Sequence, residues 1–224
     1  MNSVTEAVDD YLKAIFEIAG DEGRASTVAL AKRLSVAPAS VTGMLRKLAE
    51  QQPPWIEYEK HRGARLTEHG RLRALEVIRH HRLLELFLHD SLGYSWDEVH
   101  AEAEKLEHAI SETFEDRIAQ KLGNPEVDPH GHPIPGPDGQ LPTDTDLLLS
   151  ESPLNQRLII SQVPDRNPEM LAWLERNEIF PDTQLELISR DSFDGGLTAN
   201  LNGKTVQIAL SVANEVHVSL EDDS

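Results

Sequence analysis

Residues 26–48, STVALAKRLSVAPASVTGMLRKL, decide how the chain folds. Ser26 or Thr27 is placed to cap a short helix over 28–34, and 35–37 interrupts it. Pro38 suits the first position of a new helix, where its missing N–H has no partner to lose. That helix is expected to run from 38 to about 50, with Val41, Leu45 and Leu48 on the inner side. Ala39, Ser40, Thr42 and Gly43 are then left outside, short enough to let a helix enter a major groove, while Arg46 and Lys47 reach phosphate. Helix, tight turn and helix make the helix-turn-helix pattern. Its candidate DNA contacts are Thr27, Ala37, Pro38, Ala39, Ser40, Thr42, Gly43, Arg46 and Lys47.

The flanks agree with this. On the N-terminal side, Ser3 and Glu6 form an S-x-x-E capping box before a helical apolar stripe that ends near Gly20, with Asp9 and Asp10 beside it. On the C-terminal side, QQPPWIEYEKHRGARLTEHG (51–70) reads as two short strands joined at HRG, a wing whose Lys60 and Arg62 join the DNA-contact candidates. His61 and His69 belong to the wing and the helix behind it. The formal net charge of the chain is -18, which by itself opposes binding to phosphate. Its distribution reverses that reading: residues 24–75 hold ten Lys/Arg against four Asp/Glu, and the rest holds eleven against thirty-five.

Further along, Thr67 can cap a long helix from 68 to about 91, and Ser95 with Glu98 opens a second one expected to reach 122. Two long antiparallel helices with this much apolar surface suggest a homodimer interface. Residues 123–153 are dense in Pro and Gly and read as a linker. Beyond them RLIISQV, QLELISR, LTANLN, KTVQIALS and EVHVSLE read as five strands, with one amphipathic helix in PEMLAWLERNEI. That combination suggests a small β-barrel. The expected chain is α+β: a winged helix-turn-helix over 1–75, a helical dimerisation and metal-binding domain over 76–122, the linker over 123–153 and the barrel over 154–224.

Between the two long helices the sequence concentrates metal donors. His81 and Glu85 are four apart, and His100, Glu104, Glu107 and His108 stand at offsets that fall on one face of a continuous helix. Lys105, the only cation in that window, points away, so the clustered carboxylates call for a neutralising ion. With no cysteine in the chain, disulfides and thiolate sites are excluded. Carboxylate and imidazole donors favour Mn(II) or Fe(II). His89, His132 and His217 read as surface residues. Catalysis finds no support, since HExxH, ExxH pairs, a nucleophile motif and a phosphate-binding glycine loop are all missing. No apolar run suits a membrane and no secretory leader is evident, so a cytoplasmic protein is expected.

Taken together, DDYLKAIFEI, VAPASVTGMLRKL, YEKHRGARLTEHG, HHRLLELFL, EAEKLEHAI and NPEVDPHGHPIP resemble, in order, the blocks of the diphtheria-toxin-repressor family of metal-dependent regulators, above all its manganese-sensing branch. The resemblance implies that the barrel is Src-homology-3-like. It also implies a primary metal site of Asp10, His81, Glu104, Glu107 and His108. The implied second site draws on Glu85, Asp128, His130 and Asp165, with His100 and Glu169 as alternatives. Iron-sensing members carry methionine and cysteine where Asp10 and Glu104 stand, which points to Mn(II), with Fe(II) as the alternative cofactor. Lys13 stands where a compact manganese regulator carries a further glutamate ligand. The implied partners are double-stranded operator DNA and a second copy of the chain, and the implied targets are genes for metal uptake.

Overall fold

The computed structural model describes residues 6–20, 23–142 and 146–220; the expected Ser3 cap lies outside them. The described residues fall into two compact units. One takes those up to 81 with 105–112 and 135–141, and the other takes 82–104, 113–134 and 142 onward.

In the first unit, α1 (Glu6–Ala19), α2 (Thr27–Arg33) and α3 (Pro38–Ala49) pack with a hairpin of β1 (Ile56–Glu59) and β2 (Gly63–Leu66). Ser26 is the cap of α2, its hydroxyl accepting the Ala29 N–H at 3.1 Å. Thr27 is therefore the first helical residue. Leu12, Ile15, Leu30, Val41, Leu45, Leu48 and Ile56 are buried in one core, so each helix contributes its apolar stripe. Opposite β2, Ala25 bridges Ala64. Gly63 is required at this crossing, because its φ is +92° and a Cβ there would lie 2.3 Å from the Ala25 carbonyl oxygen. Three helices followed by two paired strands, in this order, make the winged helix-turn-helix expected from the sequence.

Helix α4 (Glu68–Leu92) leads from the first unit into the second. The Ser95 cap forms, with the Glu98 carboxylate accepting the Ser95 N–H at 3.1 Å. The single helix expected up to 122 does not. It is α5 (Val99–Leu106) and α6 (Glu112–Lys121), separated by a turn at 107–109 in which the Ala109 N–H meets the Leu106 carbonyl at 2.9 Å. The physical reason is tertiary. Glu107 is drawn into a buried ion pair with Lys13, and Ser111, a favoured residue just before a helix, allows a restart.

In the second unit the sheet is six-stranded and antiparallel, in the order β3-β8-β4-β5-β6-β7, with β3 at Leu147–Leu148, β4 at Arg157–Gln162, β5 at Gln184–Arg190, β6 at Leu197–Leu201, β7 at Lys204–Ile208 and β8 at His217–Leu220. Two expectations are corrected here. A sixth strand, β3, comes from the stretch read as linker and pairs with β8, so the sheet begins before residue 154. The stretch read as one strand, KTVQIALS, ends at Ile208 and turns into α8 (Leu210–Ala213). Irregularities at Ile160/Gln162 and Leu187/Ser189 bend the sheet over a core containing Leu158, Leu174, Leu187 and Val218. Helix α7 (Pro168–Arg176) covers that core with Leu171 and Leu174. This is the small β-domain that completes the α+β fold. Among the described residues no helix is long and apolar enough to cross a membrane.

Candidate metal centre and nucleic-acid surface

In the first unit, α1 carries Asp9, Asp10 and Lys13 toward the turn after α5. Buried Asp9 is gripped at both oxygens by Arg73, at 2.8 and 2.7 Å, and Arg73 also holds Glu76 at 2.7 Å. Asp10 Oδ1 lies 3.1 Å from His108 Nε2, which is 3.4 Å from Glu107 Oε1. Donor atoms of Asp10, Glu107 and His108 all fall within 4.8 Å of one another. Glu107 is almost wholly enclosed. Lys13 Nζ donates to both its oxygens, at 3.0 and 2.7 Å, and His81 Nδ1 meets one of them. Its backbone carbonyl accepts from His80 Nδ1 at 3.0 Å.

Burial pushes the Asp10 carboxyl above its ordinary value, with His108 opposing. Burial acts on Glu107 in the same direction, but His81 and Lys13 outweigh it and hold that carboxyl below its ordinary value. These residues suit a divalent cation. Every donor is oxygen or imidazole nitrogen, and the buried His108 Nδ1 has no hydrogen-bond partner among the described residues, lying 3.6 Å from Asp9.

Two sequence inferences change as a result. Glu104 belongs to the second unit, on α5, with its carboxylate 3.4 Å from His100 Nε2, while Glu107 and His108 lie in the turn after that helix rather than on its face. Nor are the acids without cations. Lys13 neutralises Glu107 from 94 residues away in the chain, a pairing that no local spacing reveals.

A second group of donors lies in the second unit, where Glu85, His100 and Asp165 have ligand atoms within 4.8 Å. Glu85, fully buried, accepts from His100 Nδ1 at 3.0 Å, and Asp165 lies 3.7 Å from the same nitrogen. Burial disfavours the His100 imidazolium, yet its bonds to Glu104 and Glu85 overcome this and push its pKa up to about 9. Asp165 behaves conversely: burial would raise it, but His132 and Arg166 hold it at about 2.

The loop 127–133 supplies three more polar side chains beside this group. Asp128 Oδ1 accepts the N–H groups of His130 and His132, at 2.8 and 3.0 Å, so this carboxylate shapes the loop. Gly131 is indispensable to it, since a Cβ there would meet the Ser161 carbonyl oxygen at 1.9 Å. His130 is fully buried, its Nε2 paired with the Trp96 carbonyl at 3.2 Å and its ring stacked on Trp96. Its Nδ1 is left without a hydrogen-bond partner among the described residues, 3.9 Å from Glu85. His132, read as a surface residue, is instead held inward, 3.3 Å from Asp128 and 3.9 Å from Asp165. Glu169 is exposed and outside the donor group.

Around α3, Ala37, Pro38, Ala39, Ser40, Gly43, Arg46 and Lys47 are exposed, as are Lys60 and Arg62 in the wing; Thr27 and Thr42 are half-buried. Thr42 spends its hydroxyl on the Pro38 carbonyl at 3.1 Å. A Cβ added at Gly43 meets nothing within 4 Å. Arg62 pairs with Glu59 at 2.8 Å, Arg24 with the same carboxylate at 2.7 Å and Arg65 with Glu57 at 2.7 Å. The wing arginines are thus partly neutralised. Sequence reasoning passed over Arg24.

Three family models cover the chain in order: "Iron dependent repressor, N-terminal DNA binding domain" at 3–64, "Iron dependent repressor, metal binding and dimerisation domain" at 67–136 and "FeoA domain" at 147–220. The iron-dependent repressor of Mycobacterium leprae is 30% identical over 191 residues, spanning 85% of this chain and 80% of the relative. The chain belongs to the iron-dependent repressor family. Another member of the family, the iron-dependent repressor of Mycobacterium tuberculosis, is 35% identical over 136 residues, which is 61% of this chain and only 58% of that relative's length. Among solved structures of the family, a manganese-dependent transcriptional repressor in complex with manganese superposes with a TM-score of 0.88 at 37% identity, over 96% of this chain and 100% of that one.

Proposed function

We propose that this family member is a Mn(II)-activated repressor that binds double-stranded operator DNA as a homodimer in the cytoplasm and controls genes for metal uptake. The observation that carries the reading is the meeting of Asp10 with the adjacent Glu107 and His108, hard or borderline donors brought together from two distant stretches of the chain, without sulfur. Asp10, His81, Glu107 and His108 are assigned to the first site. Glu85, His100, His130 and Asp165 are assigned to the second, with Asp128 shaping its loop.

At each site a bound ion would supply the positive charge that its own carboxylate and imidazole donors call for. The chain's own residues turn that into an output. Asp10 lies on α1, whose Leu12 and Ile15 are built into the helix-turn-helix core, so holding Asp10 against His108 holds α1 and the helices packed on it. Differential affinity for one arrangement of α1 is what shifts the population toward DNA binding. Fe(II) is the second reading, because the curated relatives quoted above are named for iron while the solved structure is named for manganese.

The test is operator binding by fluorescence anisotropy in Mn(II), in chelator, and with Glu107→Ala in Mn(II). Tight binding in the first condition alone is expected. Equal affinity in all three would remove the metal switch.

A further inference from the structure

Lys13 is buried on α1, three positions after Asp10, and its ammonium donates to both oxygens of Glu107, at 3.0 and 2.7 Å. Both side chains are nearly closed to water, 6% and 2% exposed. A carboxylate so placed is strongly disfavoured without a cation, and here the chain provides one permanently. The same lone pairs are the ones a divalent ion requires. Metal at Glu107 must therefore either displace the ammonium or bind beside a like charge a few ångströms away.

We infer that Lys13 is an internal counter-ion that sets the metal threshold of the first site, keeping the metal-free fold intact at the expense of affinity. The inference rests on the reading of Asp10, Glu107 and His108 as metal donors. Lys13 acts through Glu107 and is a tuning residue, not a ligand. The expected effect of removing its charge is a gain in Mn(II) affinity of at least about tenfold, and up to roughly a thousandfold for a like charge removed at this range.

The experiment is calorimetric titration of chelator-stripped, full-length protein with Mn(II) alone, for the wild type, Lys13→Met, Lys13→Gln and Glu107→Gln, with thermal melts run in parallel. The Glu107-dependent component should tighten in both Lys13 variants, and Mn(II) should raise their melting temperatures by more degrees than it raises the wild type's. If Lys13→Met folds only with Mn(II), the ion is replacing the lost charge, which also supports the inference. Lys13→Gln keeps a hydrogen-bond donor and carries the titration in that case.

Folded Lys13 variants with wild-type or weaker affinity would overturn the inference, leaving a purely structural ion pair, and so would variants unfolded with and without Mn(II). The underlying reading fails separately, and the inference with it, if Glu107→Gln titrates like the wild type.

Discussion

Asp9 and Lys13 sit four positions apart on α1, both buried, and each is held by an opposite charge from elsewhere, Arg73 for the first and Glu107 for the second. Breaking such a pair strands a charge. Arg73→Leu is expected to destabilise the fold by about 3 kcal/mol, measured as a lower urea midpoint with an unchanged slope. At this scale the sequence was legible in residue type more than in partnership. Glu107 and His108 stood out because acid and imidazole recur at short spacing, and Asp10 because the family resemblance implied it. Lys13, Asp9 and His132 did not, since their roles depend on neighbours brought together by folding; His132 looked like a loop surface residue until its approach to Asp165 was seen.

The elements were read best where a local signal and a long apolar period coincide. Pro38 and the Val41, Leu45, Leu48 stripe announced α3, and the structure has it at Pro38–Ala49. The break between α5 and α6 was hidden because Ala109 and Ile110 continue an apolar pattern with no glycine or proline to interrupt it. Strand β3 was hidden because two residues are too few for alternation and its pairing with β8 is long-range. Gly43 is mid-helix with open space at its Cβ position, so Gly43→Ala should raise stability by about 0.5–1 kcal/mol in chemical denaturation. On the groove-facing reading, the same methyl group should weaken operator binding. A variant both more stable and equally tight on DNA would take Gly43 out of the contact surface.

For the whole molecule, the basic segment at 24–75 and the acidic remainder were evident from charge alone, and the order of winged, helical and β-domains followed from periodicity. What charge counting missed is that protonated histidine also serves as a counter-ion in the metal-free chain. His100 is raised from 6.5 to about 9, so its imidazolium stabilises the fold fully below about pH 6.5, and that contribution is lost as pH rises through about 9. The amount is on the order of 3 kcal/mol. Melts in chelator should fall across this window, and His100→Asn should flatten the fall. Calorimetry in buffers of different ionisation heat should show Mn(II) binding releasing protons below pH 9.

In the proposed switch, metal reaches the DNA-binding helices through Asp10 of α1. That link is tested most directly by operator affinity of Asp10→Asn at saturating Mn(II), with metal occupancy measured on the same sample. Occupied protein whose DNA affinity has dropped to the chelator level is expected; occupied Asp10→Asn that binds operator as tightly as the wild type would rule the switch out.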